Sequence, residues 1–152
     1  MDETPDGGES ADILLVEDNP GDVRLTKEAF KDGCITNTLH VVTDGDEALD
    51  FLYQRGDHAD DPRPDVVLLD LNLPRTNGDE VLARIRNDDD FPHLPVIVLT
   101  SSRAEEDVAR SYELDANAYL TKPVDPDEFI QAVKRFKTFW LDVVRLPPGE
   151  VS

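Results

Sequence analysis

Three short apolar runs punctuate the chain, at residues 13–16, 66–69 and 96–99, and each consists only of Ile, Leu and Val. Short continuous apolar runs are typical of strands that are buried on both faces of a parallel sheet. Two weaker candidates, at 39–42 and 116–120, have the profile of outer strands. The pattern therefore predicts three inner strands and two edge strands.

Between these runs, apolar side chains recur at steps of three or four, which predicts amphipathic helices. Asn19 and Pro20 form a cap and first turn for the first helix, and Pro126 marks the first turn of the last, which should begin near Asp125 and run to about residue 141. The remaining helices are predicted at 46–53, 78–86 and 104–114. Five strands alternating with five helices predict a doubly wound α/β sheet.

The chain has 152 residues, which is the common size of one domain. Residues 1–11 are polar and acidic, so we expect a disordered tail there, followed by one domain over 12–141 and an extension over 142–152. Its single cysteine, Cys34, excludes an internal disulfide. No apolar run approaches the roughly 20 residues that a membrane-spanning helix needs. These features predict a soluble, cytoplasmic protein.

The net charge is strongly negative, with 34 acidic residues against 15 basic ones and a formal charge of −19. Such a charge repels the phosphates of nucleic acids and anionic membrane surfaces, so we expect neither as a partner. Acidic residues occur in nearly every loop, which suggests adaptation to a salt-rich cytoplasm where ions screen the self-repulsion.

Polar residues follow four of the five predicted strands. Glu17 and Asp18 follow the first, Asp70 the third, Thr100 the fourth and Lys122 the fifth. One such residue is often only a loop residue or a helix cap. Because ligands of doubly wound sheets bind at the carboxyl ends of the strands, the whole set predicts a site there.

The residue types of this set favour phosphoryl chemistry on an aspartate. Clustered carboxylates repel one another and stay charged only beside a cation, and oxygen ligands favour Mg²⁺. A metal ion and Lys122 would neutralise a transferring phosphoryl group, the Thr100 hydroxyl would hydrogen-bond it, and one carboxylate would attack it. The sequence has no Walker loop, dinucleotide fingerprint or Gly-x-Ser-x-Gly elbow, so nucleotide hydrolysis, NAD chemistry and esterase chemistry have no support.

Four segments resemble, in order, the signature blocks of response-regulator receiver domains: ILLVEDNP, VVLLDLNLPRTNG, VIVLTSS and AYLTKPVD. The resemblance covers about residues 12–137. It implies a flavodoxin-like parallel sheet in the order 2-1-3-4-5 with helices on both faces. It also implies a phosphorylation switch that receives its phosphoryl group from a sensor histidine kinase and signals by protein contact rather than by catalytic turnover.

The resemblance assigns a role to each matched residue. Glu17 and Asp18 would bind Mg²⁺ or Mn²⁺, together with Asp70 and the backbone carbonyl of Asn72. Asp70 would be the phosphoacceptor, and Lys122 would contact the phosphoryl group.

The same resemblance implies a conformational switch beside the acceptor. Thr100 would supply the switch hydroxyl and Tyr119 the switch aromatic ring, and the Lys122–Pro123 peptide bond would be cis. We also expect Gly78 to supply conformational freedom near the start of the third helix.

A closer resemblance is carried by YQRGDHADDPRPD, RNDDDFPHLPV and FKTFWLDVVRLPP, which look like single-domain regulators of phytochrome-type sensor histidine kinases. The last of these segments continues the apolar stripe of the final helix beyond what one face needs. An exposed apolar patch on an acidic chain indicates an interaction site, so we expect a homodimer through the last helix and the extension. The alternative is that the tail packs on its own domain.

Two other functions use similar residues. An aspartate-nucleophile phosphatase of the haloacid dehalogenase type would need a second acid two residues after the nucleophile, where this chain has Asn72. A receiver-like module that binds partners without phosphorylation would not need the acids, the threonine and the lysine, all of which are present.

Overall fold

The fold is known from a computed structural model, which describes residues 12–33, 38–73, 77–91, 94–111 and 116–134. Five parallel strands form one sheet in the order β2-β1-β3-β4-β5, which confirms the predicted strand order. The strands are β1 (Asp12–Val16), β2 (Thr38–Val42), β3 (Val66–Asp70), β4 (Val96–Thr100) and β5 (Ala118–Thr121).

Helices alternate with the strands along the chain, as the apolar periodicity predicts. They are α1 (Pro20–Asp32), α2 (Gly45–Leu52), α3 (Gly78–Arg86), α4 (Arg103–Ser111) and α5 (Pro126–Lys134), and a short 3-10 helix spans Gly56–His58. The predicted tail at 1–11, the end of the last helix beyond residue 134 and the extension at 142–152 lie outside the described residues.

The sheet separates two apolar cores because neighbouring side chains on a strand point to opposite faces. On one face, Ile13 and Leu15 of β1 pack with α1 and α5, whose Phe30 and Phe129 rings lie 4.9 Å apart. On the other face, Leu14 packs with side chains of α2 and α3. The inner strands are therefore buried on both sides, which explains why their sequences are continuously apolar.

The strand boundaries differ slightly from the prediction. Asp70 and Thr100 are the last residues of β3 and β4 rather than the first residues after them, because each still pairs in the ladder, with Leu99 and Thr121 respectively. β5 begins at Ala118, two residues later than the apolar run. Both shifts leave the polar residues at the same edge of the sheet.

No helix in the described part of the chain is long and apolar enough to cross a bilayer.

Candidate functional site

The carboxyl ends of β1, β3 and β5 bring Glu17, Asp70 and Lys122 into contact. Glu17 and Asp70 are each only 1% exposed, whereas Asp18 is exposed. A buried carboxylate is costly unless it is paired and hydrogen-bonded. Both have such partners, because the Asn19 amide donates to Glu17 Oε2 at 3.2 Å and the Asn72 amide donates to Asp70 Oδ1 at 2.9 Å.

Glu17, Asp18 and Asp70 form a cluster in which one carboxylate oxygen of each lies within 4.8 Å of the others. Burial, which is the larger cause, and the neighbouring Asp70 together raise the pKa of Glu17 to about 7. A hard divalent cation offsets this repulsion, and Mg²⁺ takes one or two carboxylates while keeping several waters. The three acids thus fit Mg²⁺ or Mn²⁺.

The Lys122 ammonium is saturated by carboxylates. Its Nζ donates three hydrogen bonds, each of 3.0 Å, to Glu17 Oε1, Asp22 Oδ2 and Asp70 Oδ2. Burial alone lowers the pKa of Lys122, but the three hydrogen bonds outweigh it and raise this pKa above its usual value. Lys122 therefore carries a permanent positive charge beside Asp70. The Lys122–Pro123 bond is cis.

Asp22 is a site residue that the sequence reasoning missed. It lies in the first turn of α1, where Asn19 Oδ1 caps the helix by accepting from the Asp22 amide at 3.0 Å. An acid in a first helical turn is usually explained by the helix dipole. The sequence does hold one indication of the role of Asp22, which is its position just after the acidic pair Glu17 and Asp18 at the end of β1. The first turn of α1 therefore begins beside the site.

A second missed residue, Glu105 of α4, joins the loop that follows β3 to the loop that follows β4. Its Oε2 accepts from Asn72 Nδ2 at 2.6 Å, and its Oε1 accepts from the Ser101 amide at 2.5 Å. Burial opposes the ionisation of Glu105, but these two hydrogen bonds outweigh it and lower the pKa. The Asn72 side chain is thus engaged by α4, which leaves its backbone carbonyl as the group predicted to bind the metal.

The two predicted switch residues lie on neighbouring strands. Thr100 is fully buried at the end of β4, with its hydroxyl 3.3 Å from the Ser102 carbonyl. Tyr119 of β5 is half-buried, and the Arg110 guanidinium lies 4.7 Å from the centre of its ring. An inward rotation of Tyr119 would break this stacking contact.

The expectation for Gly78 was wrong in its reason. Among the described glycines, only Gly56 has a positive φ, so Gly78 needs no special backbone conformation. A Cβ at Gly78 would instead lie 2.3 Å from the Asp70 carbonyl oxygen and 2.7 Å from Leu71 Cα. Glycine is required there because the start of α3 packs directly on the end of β3.

Comparisons with known proteins agree with this geometry. The sequence profile described as "Response regulator receiver domain" matches residues 13–134. Response regulator Rcp1 of Synechocystis sp. is 46% identical over 135 residues, covering 89% of this chain and 92% of Rcp1. The probable methanogenesis regulatory protein FilR2 of Methanothrix harundinacea is 38% identical, covering 89% of this chain and 86% of FilR2.

Solved structures show the same similarity. The bacteriophytochrome response regulator AtBRR superposes with a TM-score of 0.77 at 45% identity, covering 84% of this chain and 92% of AtBRR. The Mn²⁺-bound form of Rcp1 superposes with a TM-score of 0.67 at 45% identity, covering 90% of this chain and 99% of Rcp1.

Proposed function

The chain belongs to the response regulator receiver domain family, and from this premise we propose that it is a single-domain phosphorylation switch with Asp70 as the acceptor. The observation that carries the proposal is the position of Asp70 Oδ2, 3.0 Å from Lys122 Nζ and within the cluster of acids. A carboxylate between a lysine and a cation site can attack a phosphoryl group whose charge is neutralised from both sides.

The transfer begins from a phosphohistidine of a sensor histidine kinase. An Asp70 oxygen forms the new bond to phosphorus while the bond from phosphorus to the histidine nitrogen breaks. Mg²⁺ or Mn²⁺, held by Glu17, Asp18, Asp70 and the Asn72 backbone carbonyl, would supply positive charge to the phosphoryl oxygens. Lys122 supplies the opposing positive charge.

The output follows from a new charge that appears next to buried residues, because both Asp70 and Thr100 are buried. A phosphoryl group on Asp70 draws the Thr100 hydroxyl towards it. The movement of Thr100 leaves space into which the Tyr119 ring turns, away from Arg110. The surface of β5 and α4 changes, and a partner protein binds the changed surface with a different affinity. The chain therefore acts by population shift between two conformations rather than by turnover of a substrate.

Acetyl phosphate tests this function without a kinase. In the presence of Mg²⁺, intact-mass measurement should show the addition of one phosphoryl group per chain, and peptide mapping after borohydride reduction should locate it at Asp70. A metal chelator should prevent the labelling. Continuous release of phosphate through many turnovers, without a labelled protein, would instead indicate a phosphatase.

We further propose a phytochrome-type sensor histidine kinase as the donor. Support comes from the similarity to two bacteriophytochrome response regulators, AtBRR and RtBRR, at 45% and 43% identity. Because such kinases use ATP, the phosphoryl transfer from the kinase to Asp70 takes place in the cytoplasm. The strongly acidic composition of the chain suits a cytoplasm that is rich in salt. Co-incubation with a purified phytochrome kinase and radiolabelled ATP tests the donor, since no transfer within minutes would argue against it.

We also propose that the chain forms a homodimer through its last helix and the extension. Apolar residues at 139–141, 143, 144 and 146 support this, although they lie outside the described residues. Salt should strengthen the dimer, because screening reduces the repulsion between two chains of formal charge −19. Analytical ultracentrifugation in low and in molar KCl checks this. Monomers in both, or dimers that survive deletion after residue 136, would contradict the proposal.

A further inference from the structure

Among the described carboxylates that accept hydrogen bonds from the Lys122 ammonium, only that of Asp22 lies outside the predicted cation cluster. Within the described part of the chain, that cluster contains Glu17, Asp18 and Asp70. Two of these, Glu17 and Asp70, also accept hydrogen bonds from Lys122. A bound divalent cation would therefore compete with Lys122 for both of them, and would repel its ammonium group.

Asp22 does not have this conflict. Its Oδ2 lies 3.0 Å from Lys122 Nζ, and its side chain is 31% exposed at the rim of the site. A hydrogen bond between an ammonium and a carboxylate is stronger than one between neutral groups, and it offsets part of the repulsion between the ammonium and a cation. Asp22 is thus the partner that can keep Lys122 in place while a metal ion occupies the acids.

We propose that Asp22 is a positioning residue, which holds the Lys122 ammonium beside Asp70 when a divalent cation binds. This inference rests on the proposed phosphoacceptor function and extends it to the first turn of α1. Asp22 itself contacts neither the phosphoryl group nor the cation. It acts by fixing the group that neutralises the phosphoryl oxygens opposite the metal ion.

The local backbone makes this proposal testable by a nearly isosteric change. The Asp22 amide donates to the cap Asn19, and the Asp22 carbonyl accepts from Thr26 Oγ1 at 2.9 Å. Both bonds involve only the backbone of Asp22, so Asp22→Asn keeps the start of α1 and removes only the negative charge. Glu28→Gln, an exposed change of the same net charge on the same helix, is the matched control.

The first measurement is the rate at which an amine-directed reagent modifies Lys122, read by peptide mass spectrometry. In saturating Mg²⁺, Lys122 of Asp22→Asn should react about fivefold faster than in the wild type, because a neutral amide oxygen holds the ammonium more weakly than a carboxylate does. Without Mg²⁺ the difference in the modification rate of Lys122 between Asp22→Asn and the wild type should be smaller, since Glu17 and Asp70 still hold the ammonium. Glu28→Gln should match the wild type in both conditions.

The second measurement is the rate of phosphorylation by acetyl phosphate. In Asp22→Asn the maximal rate should fall about fivefold, because Lys122 is less well placed in the transition state, while the half-saturating donor concentration stays unchanged. If Asp22 only repelled the anionic donor, the same variant would instead be labelled faster and at lower donor concentration. That result would overturn the proposal.

The two measurements separate this inference from the function on which it rests. If wild-type Asp70 is not labelled, the phosphoacceptor function fails, and the modification rate of Lys122 alone decides whether Asp22 positions it. If Asp70 is labelled but Asp22→Asn and Glu28→Gln behave alike in both measurements, the function stands and the role of Asp22 is wrong. A difference in Lys122 reactivity that does not widen with Mg²⁺ would also overturn it.

Discussion

Asp70→Asn is expected to abolish phosphoryl labelling by acetyl phosphate, because an amide oxygen lacks the negative charge with which the carboxylate attacks phosphorus. The substitution changes little else. The amide oxygen can still accept the hydrogen bond that the Asn72 amide donates to Asp70 Oδ1 at 2.9 Å. Lys122 also keeps its bonds to Glu17 and Asp22. Intact-mass spectra recorded over a time course measure the loss.

Asp79→Asn is the matched control for this loss. Asp79 is an exposed aspartate in the first turn of α3, close in sequence to the acceptor but outside the cluster of acids. We expect full labelling of this variant, and cooperative thermal unfolding of Asp70→Asn in circular dichroism. Labelling of folded Asp70→Asn at the wild-type rate would show that the acceptor is another residue.

The inner part of the sheet was predictable from the sequence because its burial is nearly complete. Every residue of β3 and β4 is buried, so local hydrophobicity alone identifies them. The edge strand β2 has only one fully buried residue, Val42, and its sequence signal is correspondingly weaker. The ends of the strands were harder to predict than the strands themselves, because Asp70 and Thr100 are polar and yet still pair with the neighbouring strands.

The candidate site was predictable where each residue follows a strand, and not where it lies on a helix. Glu17, Asp70 and Lys122 all occur at strand ends, which the topology brings together. Asp22 contacts Lys122 across 100 positions of sequence. Glu105 contacts Asn72 across 33. Contacts of this kind depend on how α1 and α4 pack against the edge of the sheet. Local sequence patterns do not predict that packing.

Gly78 shows that a correct residue can be singled out for the wrong physical reason. A glycine beside a turn suggests a left-handed backbone, but here the space for a side chain is missing. The amide of Gly78 donates to the Leu71 carbonyl at 3.2 Å, which ties the start of α3 to the end of β3. Such close approach between two backbones is visible only in three dimensions.

Gly78→Ala is therefore expected to destabilise the protein by about 2–3 kcal/mol, since overpacking against fixed atoms displaces the backbone. In an open helix the same change would stabilise it by up to about 1 kcal/mol. The added Cβ would meet the carbonyl oxygen of the acceptor Asp70 at 2.3 Å, and backbone atoms cannot rotate away. We also expect slower labelling, because the displaced strand end carries the nucleophile. Urea unfolding followed by circular dichroism measures the change in free energy.

Gly21→Ala provides the control, because Gly21 lies in the first turn of α1 as Gly78 does in α3. Its Cβ would lie 3.1 Å from Asn19 Oδ1, a side-chain atom that can shift by a few tenths of an ångström. We expect the free energy of unfolding of this variant to remain within about 1 kcal/mol of the wild type. If Gly78→Ala is as stable as Gly21→Ala and is labelled at the same rate, the packing of α3 does not fix the position of Asp70.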